Sequence, residues 1–174
     1  MDHDLALDVS QRDDEVDRLY LLISKQFHSI LCEGGMPDTT ETNIEEYHEF
    51  RMAASPLERI ADHAQKISNA ASKLQEPVND TVMEELEKLN AAYMELVKQS
   101  VETLFEANTS LANQVIDNVD NMRVWVEEFR ESILKLESHE IMISLGTVVE
   151  SLSKIGDLSS NIAEIAINMA IRDR

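Results

Sequence analysis

Apolar residues return every three or four positions along most of this chain, the period of a helix with one buried face. Val9, Val16, Leu19, Tyr20, Ile23, Phe27, Ile30 and Leu31 form one such stripe and predict a helix over roughly 3–32. The segment EGGMPD (33–38), with its two glycines and a proline, ends it. A second helix is expected from near Thr42, where Glu45 three residues on completes a capping box, to about Leu74, ahead of Pro77. Pro56 inside it predicts a kink or a break, because proline lacks the amide hydrogen that an interior helical position donates. A third helix is predicted from Thr81, with Glu84 as its capping acid. No glycine or proline then occurs until after Lys135, too long a run for one ordinary helix. The stretch ANTS (107–110) offers a turn and a fresh cap, so the boundary is placed there. The last helix runs from about Ser138 to Ile171, and Gly146 and Gly156 within it each cost about 1 kcal/mol relative to alanine. The reading is all-α, with five helices.

The pattern also repeats. LERIADHAQKI (57–67) returns as LSKIGDLSSNI (152–162), with Leu57, Ile60, Asp62 and Ile67 matching Leu152, Ile155, Asp157 and Ile162. LALDV (5–9) has its counterpart in LANQV (111–115), and the two pairs occur in the same order. This implies two copies of one helical unit that stack because neither buries its apolar face alone. The expected division is repeat one over 1–78 and repeat two over 79–174.

Composition narrows the class. Of the 174 residues 43% are hydrophobic but only 5% aromatic, with 4 Gly and 3 Pro, as suits a helical protein. The single Cys32 excludes an internal disulfide and fits a reducing cytosol. The start MDHD lacks a basic region, so no signal peptide is expected. The most apolar run, IAEIAINMAI (162–171), is too short and too charged, with Glu164, to span a bilayer. A net charge of −19 repels phosphate backbones and anionic lipid, which argues against direct nucleic-acid binding and membrane insertion, and it attracts cations.

The acids then become informative. At about 100° per residue, Leu57, Ile60, Ala64, Ile67 and Ala71 share one face of their helix, and Glu58 and Asp62 lie nearly opposite. Asp13 and Asp17 repeat the four-residue spacing at the flank of the first stripe. If those two helices pack side by side, the four carboxylates converge, and hard oxygen ligands in that number suit Mg²⁺, Mn²⁺, Ca²⁺ or iron, and Zn²⁺ less well. The spacing is also common on solvated helix faces in a chain with 34 acids, and Ser55, Pro56 and Glu58 fit the cap, first and third positions of a new helix. Elsewhere, Glu45-x-x-His48 has the spacing of a di-iron helix but no second copy. His28 and His139 have no ligand-spaced partner, His63 points away from Asp62, Trp125 and Phe129 read as core or interface, and the eight Met read as packing. No phosphate-cradling glycine loop or nucleophile motif appears.

RDDEVDRLYLLISKQ (12–26) followed by LERIADHAQKI (57–67) closely resembles the PhoU family of phosphate-uptake regulators, and KIGDLSSNIAE (154–164) looks like that family's second copy. RDDEVDRLY is most similar to archaeal members. The resemblance implies two antiparallel three-helix bundles. This chain starts within the second helix of the first bundle, so the first helix of repeat one is expected to be missing and five of six to remain. It further implies a cytoplasmic regulator rather than an enzyme, docking on a phosphate-transporter ATPase or sensor kinase. With the first helix missing, either the chain is part of a longer protein or another chain covers the exposed face, and a homo-oligomer such as a homodimer is expected. Metal ions, whether iron, Zn, Mg or Mn, would be held through acid-x-x-x-Asp pairs, here Asp13 and Asp17 with Glu58 and Asp62. In the second half Val119 and Arg123 stand where the first has Asp13 and Asp17, and Ser153 replaces the motif glutamate, leaving Asp157 alone. No metal cluster is expected there. The competing readings are a metal-free scaffold or oligomerisation module and, behind it, a di-metal helical-bundle enzyme.

Overall fold

The structure, a computed structural model, describes residues 3–33 and 44–172. Five helices run in order: α1 (His3–Glu33), α2 (Ile44–Ser72), α3 (Asp80–Glu106), α4 (Thr109–Ile133) and α5 (His139–Arg172). The glycines and proline of 34–38 and the Thr42 cap lie outside the described residues.

The local signals fall close to their expected places. Asn108 caps α4, its side chain accepting from the Leu111 amide at 3.0 Å, and Ala107 before it turns the chain at φ 49°. Ser138 does the same for α5 through Ile141. The start of α3 differs from the sequence reading. Asn79, not Thr81, is the cap, accepting from the Thr81 amide at 2.8 Å. Asparagine is as good a cap as threonine, and its place two residues earlier lets Asp80 sit at the positive end of the helix.

Pro56 does not break α2, which continues from Ile44 to Ser72. The proline ring is buried, and it shares the wall of a cavity of about 480 Å³ with Met52 of α2 and with Leu158 and Ile165 of α5. The ring is buried within α2, where Pro56 forgoes one helical hydrogen bond. Glu58 is therefore an interior residue of α2 and not the capping acid of a new helix.

Helix α5 is the axis of the molecule, in contact with α2, α3 and α4. It is buried on several sides, and Ser144, Ser151, Gly156, Ser159, Ala163 and Ala166 let the neighbouring helices approach closely. Three buried hydroxyls are paired within their own helices: Ser159 donates to the Ile155 carbonyl, Thr103 to that of Ser100 and Ser100 to that of Val97. Helix α4 buries Ala112, Val115, Val119, Met122, Val126, Phe129 and Ile133, a strict alternation of three and four that seats it against α3 and α5. Across the two halves, Ala53 of α2 and Leu104 of α3 pack with Ile162 and Ala166 of α5. Helix α1 is different. Among the described residues it packs on α2 alone.

Candidate metal centre

The α1–α2 pair is antiparallel, and three contacts pin its register. Gln65 donates to Ser10 Oγ at 3.3 Å, Tyr47 donates to Gln26 Oε1 at 3.2 Å, and the Phe27 and His48 rings lie 5.5 Å apart. Arg51 adds a cation–π contact over Phe27. This register sets Asp13 across from Asp62 and Asp17 across from Glu58. His48 is thereby an aromatic neighbour of Phe27 and takes no part in a Glu-x-x-His site.

One carboxylate oxygen each from Asp13, Asp17 and Asp62 lie within 4.8 Å of one another. Glu58, the fourth acid of the sequence reading, is outside that group, although its carboxyl is close enough to feel it. Burial and then Asp62, Asp17 and Asp13 raise its pKa, against a smaller opposing effect of Arg59. Asp13 is raised in the same way, by burial first and then by Asp17, Asp62 and Asp14, with Lys66 opposing. Lys66 stands one turn beyond Asp62, a spacing the sequence displays.

The residue that sets this cluster apart from a solvated acidic face is Asp13. It is 7% exposed, and its Oδ1 is buried with no hydrogen-bond partner. Among the described residues it is the only one on α1 that is buried. The apolar stripe around it, Val9, Val16, Tyr20, Ile23 and Phe27, is only half-buried. A buried carboxylate normally finds a donor or a cation. Here the nearest charges are other carboxylates, and none of Asp13, Asp17, Glu58 or Asp62 forms an ion pair with a Lys or Arg among the described residues.

Such a donor set fits a hard cation. Neighbouring oxygens around Mg²⁺ stand about 2.9 Å apart and around Ca²⁺ about 3.3–3.7 Å, so the three carboxylates would close in around one such ion. Asp13, Asp17 and Asp62 would hold the ion, with Glu58 one helical turn from Asp62 as a further ligand or as a base toward bound water. His63 stays outside the group. Its Nδ1 is buried without a partner, and burial, with Lys66, lowers its pKa and keeps the ring neutral.

The matching place in the second half is arranged otherwise. Val119, where α1 has Asp13, is 4% exposed and lies in the core. Arg123, where α1 has Asp17, donates from Nη2 to Asp157 Oδ1 at 3.2 Å and from Nε to Asp120 Oδ1 at 3.1 Å. Lys154 reaches the other oxygen of Asp157 at 3.1 Å. Ser153, where α2 has Glu58, stands near the phenol of buried Tyr93 from α3. Both oxygens of Asp157 are thus met by cationic nitrogen. The Lys154 pairing was open to sequence reasoning through its three-residue spacing, whereas the reach of Arg123 across to α5 was not.

A packed helical bundle with an acidic seam in one of its halves defines the class of this chain, and the family follows. The sequence model of the PhoU domain matches residues 1–71 and 81–166, and the chain belongs to the PhoU domain family. Comparison with curated proteins finds no match. Among the described residues no helix is long and apolar enough to cross a membrane.

Proposed function

We propose that this PhoU-domain chain is a cytoplasmic regulator of phosphate uptake, of the archaeal type its 12–26 segment resembles, and that it works as a docking module and not as an enzyme. Its partner is a phosphate-transporter ATPase or a sensor kinase, and it self-associates as a homodimer. A hard metal ion bound by Asp13, Asp17 and Asp62, with Glu58 beside them, tunes the docking surface. Family membership supports the regulatory part of this reading. The observation that carries the metal part is Asp13, a covered carboxylate with an unpartnered oxygen among like charges, at a position where the other half has a core valine. Burying such a group unpaired costs about 1–3 kcal/mol, which a bound cation reverses.

Elemental analysis of the purified protein beside an Asp13→Ala/Asp62→Ala variant tests the metal. Metal in the parent and none in the variant is the expected result, and equal, negligible metal in both leaves only the scaffold reading. Co-purification with a tagged transporter ATPase, at high and at low phosphate, tests the regulator. A partner retained at one phosphate level and released at the other is expected, and retention at neither removes the docking function.

A further inference from the structure

Two helices occupy equivalent places in the two repeats, and they are fastened differently. Helix α4 is wedged between α3 and α5 by seven buried residues, from Ala112 to Ile133. Among the described residues helix α1 packs on α2 alone, and its one buried residue is a carboxylate. Apolar contact alone therefore holds α1 weakly, and the repulsion among Asp13, Asp17 and Asp62 works against it at the middle of the seam. In α4 the same region carries Arg123, which crosses to Asp157. The second repeat has a positive charge built into its seam where the first has only negative ones.

We propose that both outer helices are fastened by a cation at this shared place: the guanidinium of Arg123 for α4, and an exogenous metal ion at Asp13, Asp17 and Asp62 for α1. Metal is then a clasp that controls whether α1 stays docked on α2, while the second repeat stays closed without it. This rests on the metal reading above and adds to it a consequence that metal binding alone does not require. With the clasp open, the half-buried face of α2 that carries Tyr47, Glu58 and Asp62 becomes accessible, so the ion decides which surface the module presents.

Hydrogen exchange of the full chain, read by mass spectrometry with and without Mn²⁺, tests the clasp, and the paramagnetic resonance of Mn²⁺ counts bound ions in the same samples. Adding Mn²⁺ is expected to slow exchange in peptides from α1 at least tenfold, to leave those of α4 unchanged, and to be undone by a chelator. Stoichiometric Mn²⁺ with unaltered α1 exchange overturns the clasp while leaving the site intact. No bound Mn²⁺ overturns the site and the clasp together. The Arg123→Asp variant supplies a second arm, since residue 123 is exposed and its replacement leaves the core of α4 in place. It is expected to speed α4 exchange several-fold and to make that exchange respond to Mn²⁺, and an α4 indifferent to both changes overturns the equivalence of the two fasteners.

Discussion

Asp13 concentrates the chemistry of this molecule in one side chain. Burial and its acidic neighbours hold its pKa above the ordinary 3.8, and those of Glu58 above 4.5. In the metal-free protein the folded state then keeps protons that the unfolded chain has released. Stability is accordingly expected to fall as pH rises from about 4 through the raised values, the reverse of a salt-bridged carboxylate. Denaturant melts across that window check this, and a stability that climbs with pH would contradict it. Asp13→Val copies the residue of the other repeat and is expected to raise metal-free stability by about 1–3 kcal/mol, nearer the lower figure because the carboxyl lies shallow. With Mn²⁺ at a hundred times its dissociation constant the order reverses, since the parent gains about 2.7 kcal/mol and the variant nothing. The glycines of α5 give a second contrast. A methyl group at Gly146 meets nothing within 4 Å, so Gly146→Ala is expected to stabilise by up to about 1 kcal/mol. At Gly156 the same group would stand 2.5 Å from the Tyr93 ring, so Gly156→Ala is expected to destabilise by about 1–3 kcal/mol despite the better helix former. Thermal melts of the two variants side by side decide it.

At the scale of elements, most helices were legible because their signals are local. The ANTS turn needed only residues 107–110, and it lies where α3 gives way to α4. Ala107 bears a left-handed backbone there, so Ala107→Gly is expected to raise stability by about 1 kcal/mol, measured by chemical denaturation. Two positions were left open or placed differently by local signals. Pro56 predicts a kink or a break, and α2 runs through it unbroken from Ile44 to Ser72. The α3 cap moved to Asn79 because several good capping residues crowd 79–81, and sequence alone does not rank them.

Over the whole molecule, α2 and α5 join the repeats into one packed body, with Ile162 fully buried between them. Ile162→Ala is expected to cost about 2–5 kcal/mol and to lower the melting of both repeats together in a single transition. Separate transitions by circular dichroism and by Trp125 fluorescence would mean that the halves fold independently. Helix α1 leaves Leu19 59% and Leu22 51% exposed, one turn apart on the same side, apolar surface that a second copy would cover. Concentration-dependent light scattering is expected to report self-association that a Leu19→Lys/Leu22→Glu variant weakens.

By itself the sequence determined the all-helical class, the number of helices, the repeat and the acid pairs, because each is written in spacing along one chain. It also marked Val119, Arg123 and Ser153 as departures. Only the tertiary structure decided which of the four acids meet, since that depends on the register of α1 against α2. The same packing covers Asp13 and leaves Glu58 outside the ligand group. It also carries Arg123 across to Asp157. Spacing within a helix fixes the direction a side chain takes, and what it meets there is fixed by the neighbouring helix.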